Sequence, residues 1–130
     1  MTKITRRAAG ALALAMLASP SWAQDFPSKS IKLVVPYAPG GGADSVARIV
    51  AKKVSKNIGQ PIVIENKGGA GSIVGTDLVA KAKPDGYTLL LGQSGPISIN
   101  PAVYKTLPYD PVKDFAPITM TTAYPYILVV

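Results

Sequence analysis

The chain has no cysteine and no histidine. The first absence excludes a disulfide-stapled fold and a thiolate metal site. Together they remove the side chains that most often serve as nucleophile, general base or metal ligand. Acidic residues are few, 7 in 130, and scattered, so no paired-carboxylate acid/base motif is present. Aromatic residues make up only 7% of the chain, and the lysines sit near helix ends while most of the tyrosines stand beside prolines. A nucleic-acid surface needs cations and stacking rings interleaved, so nucleic acid is not an expected partner. A Gly-x4-Gly-Lys-Ser/Thr phosphate loop is also missing. Gly69-Ala70-Gly71 with Gly75 is one residue off a dinucleotide fingerprint, follows the second strand, and has no acidic residue placed to hold a ribose. These absences favour binding over catalysis and predict no cofactor and no metal.

One long apolar run is present, and it lies at the start. Lys3, Arg6 and Arg7 precede the apolar stretch Ala8 to Ala18, and Ser21-Trp22-Ala23 sets small residues where a signal peptidase reads. Residues 1–23 therefore read as a secretory signal peptide cleaved before Gln24, which predicts a periplasmic location. The alternative, an uncleaved anchor, conflicts with an apolar core shorter than the roughly 20 residues of a spanning helix. Thr5-Arg6-Arg7 hints at twin-arginine export, although Ala-Ala-Gly follows in place of a fuller motif. The formal charge of +7 falls to +4 without the three leader cations, a mild bias toward small anions.

The rest reads as repeated strand–loop–helix units. Ile31 to Val35 is a buried-type strand that Pro36 ends, and Ser45 to Ile58 is a helix. Val46, Ile49, Val50 and Val54 form its expected inner face, with Asp44 or Ser45 as its cap and Gly59 as its stop. Pro61 to Glu65 is a second strand, and Ser72 to Lys83 a second helix facing inward through Val74, Leu78, Val79 and Ala82. Tyr87 to Gly92 is a third strand after the Pro84-Asp85-Gly86 turn. This order implies parallel β–α units with right-handed crossovers. From Gln93 to Pro117, five prolines forbid long elements; a helical turn at 101–104, a short strand at 115–120 and a clearer strand at 126–130 are expected. The ending, Tyr124 to Val130, is a strand pattern without turn, cap or polar tail, which suggests a chain cut within a domain; a closing strand of a small domain is the alternative.

Two glycine-rich loops, Pro36 to Asp44 and Asn66 to Gly71, follow consecutive parallel strands. They should therefore meet on one sheet edge, where open α/β sheets bind ligands. Two helix N-termini there can hold a carboxylate or phosphate without any arginine. Ser72 and Ser94 add hydroxyl donors, and Tyr37 a wall with a polar tip. Asp44 would repel a bare anion; it can cap the helix, hold water or bind a ligand amine. Each feature alone also has a plain reading: glycine clusters are often turns, Asp44 an N-cap, Tyr37 packing.

The residues Ile31–Asp44 (IKLVVPYAPGGGAD), Val63–Ser72, Lys83–Leu91, Ile99-Asn100-Pro101 and above all Leu107 to Ile118 (LPYDPVKDFAPI) resemble the solute-binding receptors of the tripartite tricarboxylate transporter family, the Bug receptors. The resemblance covers essentially the whole chain after residue 23. It implies an α/β, type II periplasmic-binding-protein-like lobe with a mainly parallel sheet, truncated before a second lobe, with the ligand cleft between lobes. It divides the chain into a leader, residues 1–23, a first part of lobe 1, residues 24–123, and a crossover strand begun at residues 124–130. It implies a monomeric receptor that captures a small di- or tricarboxylate for membrane permease subunits. An exported enzyme or ligand sensor on the same lobe, or a non-functional truncated product, is the alternative. Carried over by position, Tyr37, Gly40, Gly41, Gly42, Ala43, Asp44, Gly69, Ala70, Gly71 and Ser72 line the cleft, with Ser94 beside them. The family usually has proline at Gly68, often glycine at Ser72, and often a hydroxyl residue at Pro96. Its members are also more than twice as long.

Overall fold

A computed structural model describes residues 26–123 and 128–129. Strand β1, Ile31–Val35, is the centre of a three-stranded sheet in the order β2-β1-β3. Both partners, β2 (Ile62–Asn66) and β3 (Thr88–Leu90), run parallel to it. Ile31, Leu33, Val34 and Val35 are buried, which is why β1 is continuously apolar rather than alternating. Lys32 alone stays exposed and pairs with Glu65 on β2 at 2.8 Å. Leu33, Val35, Ala47 and Leu91 form the core on one face, packed by Tyr37, Ala43, Ile62, Ile64 and Leu89. Val34, Pro36 and Thr76 are fully buried as well. The α/β class and the parallel sheet agree with the sequence.

Helix α1 spans Gly42–Ile58, starting three residues earlier than expected. The glycines hide its start, because glycine weakens any helical pattern. Gly41, in extended conformation, is the N-cap, so neither Asp44 nor Ser45 caps by position. Ser45 instead turns its Oγ back to the Gly41 carbonyl at 3.1 Å. At the other end Gly59, at φ +70°, donates its N–H to the Ser55 carbonyl, a left-handed stop of the kind Asn57-Ile58-Gly59 suggested. The inner face is rotated from the expected one: Ala47 and Ala51 are buried, Val46, Val50 and Val54 half-buried, and Ile49 is 71% exposed. Small residues at the line of closest approach let the helix lie close on the sheet.

The second unit opens with a tight 3-10 turn, Ala70–Ser72, and continues as α2, Ile73–Ala80, ending short of the expected Lys83. Its buried residues are Gly75 and Thr76, with Leu78 and Val79 half-buried and Val74 half exposed. A Cβ on Gly75 would stand 3.0 Å from the Pro36 Cα and closer still to the Lys67 carbonyl oxygen. That glycine serves the packing of α2 on the chain leaving β1. After β3 comes a wide, π-type helical turn, Gly95–Ile99, and the single-turn helix α3, Asn100–Val103. Tyr109 is buried and donates its hydroxyl to the Pro96 carbonyl at 2.8 Å, anchoring the proline-rich segment. Residues 115–120 do not form the expected strand; Ile118 and Met120 are largely exposed, since no described strand offers them a ladder. The strand expected over 126–130 lies mostly outside the described residues. Among the described residues no helix is long and apolar enough to cross a membrane.

Candidate functional site

Three loops leave the sheet at the ends of β1, β2 and β3, and since the strands are parallel these ends share one edge. The first two loops touch: a Cβ on Gly68 would lie 3.5 Å from Ala38 N and from the Tyr37 carbonyl carbon. The first and third approach through Tyr37, whose hydroxyl sits 3.2 Å from where a Gly95 Cβ would be. The second is tied to α3, because Asn100, itself buried, donates Nδ2 to the Gly71 carbonyl at 2.9 Å. The sequence-predicted residues Tyr37 to Asp44 and Gly69 to Ser72 are thus brought to neighbouring loops.

The start of α1 offers hydrogen-bond donors. The first intrahelical bond runs from Ser45 N–H to the Gly41 carbonyl at 3.0 Å, and no side chain caps the helix. The N–H groups of Gly42, Ala43 and Asp44 therefore point out of the helix without an intrahelical acceptor, at the positive end of a 17-residue dipole. Gly40, at φ +84°, makes the turn into this helix. Gly41 and Gly42 are exposed and Ala43 half-buried. An anionic oxygen, of a carboxylate or a phosphate, is the group such donors recognise.

Asp44 faces the other way. Its side chain is buried, with the residue only 3% exposed. Oδ2 accepts from the Gly40 N–H at 3.0 Å and from Arg48 Nε at 2.9 Å, while Oδ1 accepts from Asn66 Nδ2 at 3.0 Å. The Arg48 hydrogen bond first, then those from Gly40 and Asn66, hold its carboxyl down at about 2. The charge is thus matched by Arg48, whose own side chain lies at the surface.

The second loop is left-handed at three successive residues: Ala70 at φ +47°, Gly71 at +63° and Ser72 at +73°. Gly69, at +125°, precedes them. Gly69, Ala70 and Gly71 are exposed, whereas Ser72 is buried, its carbonyl accepting from Thr76 Oγ1 at 2.8 Å and its own hydroxyl making no capping bond. Ser94 is exposed at the mouth of the third loop and caps nothing. Tyr37, Gly41, Gly42, Ala43 and Ser94 border an open trough of about 1610 Å³ that runs on along the sheet flank past Leu89 and Leu91. Gly69 to Ser72 lie outside that trough. Among the described residues no group of three or more acidic side chains gathers as a metal site would require.

Three polar residues of this cluster were not singled out from the sequence: Arg48, Asn66 and Asn100. Arg48 stands four residues after Asp44, a helical ion-pair spacing that can be read directly. The two asparagines flank glycine and proline signals and pass locally for loop residues.

The sequence model described as tripartite tricarboxylate transporter family receptor matches residues 46–130. A UPF0065 protein encoded in the tcbD-tcbE intergenic region of Pseudomonas sp. (strain P51) is 43% identical over 128 residues, 96% of this chain and 38% of its own. Protein BugT of Bordetella pertussis is 39% identical over 119 residues, 91% of this chain and 36% of its own. The chain thus spans well under half the length of these relatives. Among solved structures, the periplasmic binding protein BugD is 45% identical with a TM-score of 0.69, over 72% of this chain and 31% of its own. MatC from Rhodopseudomonas palustris with bound malate is 44% identical with a TM-score of 0.68, over 71% and 31%. A second R. palustris protein, solved with adipate, is 40% identical with a TM-score of 0.65, over 67% and 29%. These are binding proteins sharing the parallel α/β lobe described above, and the chain belongs to the tripartite tricarboxylate transporter receptor family.

Proposed function

We propose that this chain forms the first part of a periplasmic receptor that captures a small carboxylate and hands it to membrane permease subunits. The observation that carries the reading is the uncapped start of α1, with Gly42, Ala43 and Asp44 N–H groups free of helical partners, beside the left-handed loop at Gly69–Ser72. In this reading Gly41, Gly42 and Ala43 hold ligand carboxylate oxygens, Tyr37 walls the site, and Gly69, Ala70, Gly71 and Ser72 border it from the second loop. Gly40 and Asp44 shape the first loop, and Ser94 contributes a hydroxyl from the third. Relatives solved with malate and adipate support a dicarboxylate as the ligand class. Residues 1–23 act as a cleaved leader, residues 24–123 build part of one lobe, and residues 124–130 begin the crossover to a second. The assembled receptor works as a monomer, without a cofactor and without catalysis.

The test is a ¹H–¹⁵N NMR titration of the chain with malate and with adipate. The amides of Gly41, Gly42, Ala43 and Gly71 are expected to shift progressively, while sodium chloride at equal ionic strength leaves them in place. Equal responses to chloride and to both dicarboxylates would overturn the reading.

A further inference from the structure

The free amides at the start of α1 are useful only if the loop before them is held still. That loop, residues 36–41, has no ladder or helix of its own, and it includes a left-handed Gly40. Two side chains restrain it. Asp44 takes the Gly40 N–H, fixing the turn from the helix side. Asn66 fixes it from the sheet side: its Nδ2 donates to the Tyr37 carbonyl at 3.2 Å and to Asp44 Oδ1 at 3.0 Å. Asn66 is the last residue of β2 and stands in register with Val35, the last of β1. Its amide therefore spans the two strand ends beneath the loop. One NH₂ group, with its two hydrogens, serves both acceptors, a geometry that neither a hydroxyl nor a carboxylate can reproduce.

We propose that Asn66 is a positioning residue that locks the first glycine loop in its ligand-receiving shape, joining the Tyr37 backbone to the buried carboxylate of Asp44. The proposal rests on the carboxylate-receptor reading for its effect on affinity, and on geometry alone for its effect on the loop. Without Asn66 the Tyr37 carbonyl and Asp44 Oδ1 each lose a donor, and the loop samples shapes in which the free amides of Gly42, Ala43 and Asp44 are no longer held in one place. Ordering them again then falls to the ligand, which weakens binding. Asn66 touches no ligand in this scheme; it acts through the loop.

The experiment compares the parent chain with Asn66→Ala and Asn66→Asp by amide hydrogen exchange and by malate titration. In Asn66→Ala, exchange at Gly40 is expected to speed up at least tenfold while Leu33 and Val34, inside β1, stay as protected as in the parent. Malate should bind about five- to tenfold more weakly, the scale of one or two lost hydrogen bonds. Asn66→Asp keeps the side-chain volume but removes the donor and sets a carboxylate against Asp44, so it should bind at least as weakly as Asn66→Ala. Recovery of parent affinity by Asp would show that Asn66 matters only for packing and would overturn the proposal. So would Asn66→Ala with Gly40 exchange and malate affinity within twofold of the parent. Loss of the folded state in both variants would assign Asn66 to stability alone, which also overturns it. A parent chain that answers malate and adipate no differently from chloride refutes the receptor reading, and the exchange comparison then still decides the clamp.

Discussion

Asp44 is the residue on which both the loop and the helix depend. A carboxylate at the start of a helix is ordinarily a favourable partner of the dipole, but at a site for anions it would be a competitor. Burial under the loop and pairing with Arg48 turn it from competitor into brace. Its folded-state pKa, about 2, lies below the 3.8 of an unperturbed aspartate. The ionised form therefore stabilises the fold above the unfolded value, and that contribution disappears as pH falls from about 4 through 2. Glu65, lowered first by its hydrogen bond to Lys32 and then by Lys67, and Asp110, lowered by the Val112 and Lys113 backbone, act in the same direction. Melting temperature measured from pH 7 to pH 2 should fall most steeply below pH 4. Asp44→Asn should melt lower at pH 7 and show a shallower fall; an unchanged slope would refute this account. Arg48 was readable from its spacing to Asp44. Asn66 and Asn100 were not, because their partners lie 22 and 29 residues away and no local pattern encodes that distance.

Elements show a similar division. Strand–loop–helix order and parallel pairing follow from apolar runs, glycine stops and proline breaks, all of which act locally. Helix faces do not: α1 turns Ala47 and Ala51 inward and leaves Ile49 out, since contact distance to the sheet outweighs side-chain size. The second loop extends the point. Ser72 holds a left-handed φ of +73°, a conformation that costs a non-glycine residue about 1–2 kcal/mol. Glycine adopts it freely but makes the unfolded chain more flexible. Ser72→Gly should therefore stabilise by about 0.5–1 kcal/mol in urea unfolding. A loss of stability would mean that the Ser72 hydroxyl makes a bond worth more than the strain. Gly75 predicts the opposite sign. Its missing Cβ is where α2 meets Pro36 and the Lys67 carbonyl, so Gly75→Ala should destabilise by about 1–3 kcal/mol, because backbone cannot move aside as a side chain can. The packing role of Gly75 was not visible beforehand, because close backbone approach leaves no mark on composition.

At the scale of the whole molecule, the trough decides what this chain can do alone. Its volume of about 1610 Å³ exceeds the few hundred to about 1,000 Å³ of a small-molecule pocket, and it continues along the flank of β3 far from the loops. Most of it is thus an open, largely apolar trough between the flank of β3 and residues 111–123 and not a solute site; only the end bordered by Tyr37, Gly41, Gly42, Ala43 and Ser94 belongs with the loops. Pairing and covering of that flank need residues that the three described strands do not supply, which fits a chain spanning 38% of the Pseudomonas relative. Two properties follow for the 130-residue chain. An exposed apolar face of this extent binds anilinonaphthalene sulfonate and favours self-association, so dye fluorescence should rise on mixing and sedimentation should depend on concentration. Malate and adipate, held by backbone amides on one side and water on the other, should bind no more tightly than the millimolar range, because affinity depends on enclosing and desolvating the ligand. A micromolar dissociation constant measured by calorimetry on this chain would mean that the loops at Gly40–Asp44 and Gly69–Ser72 suffice without a facing wall, and the two-lobe reading of the cleft would have to be abandoned.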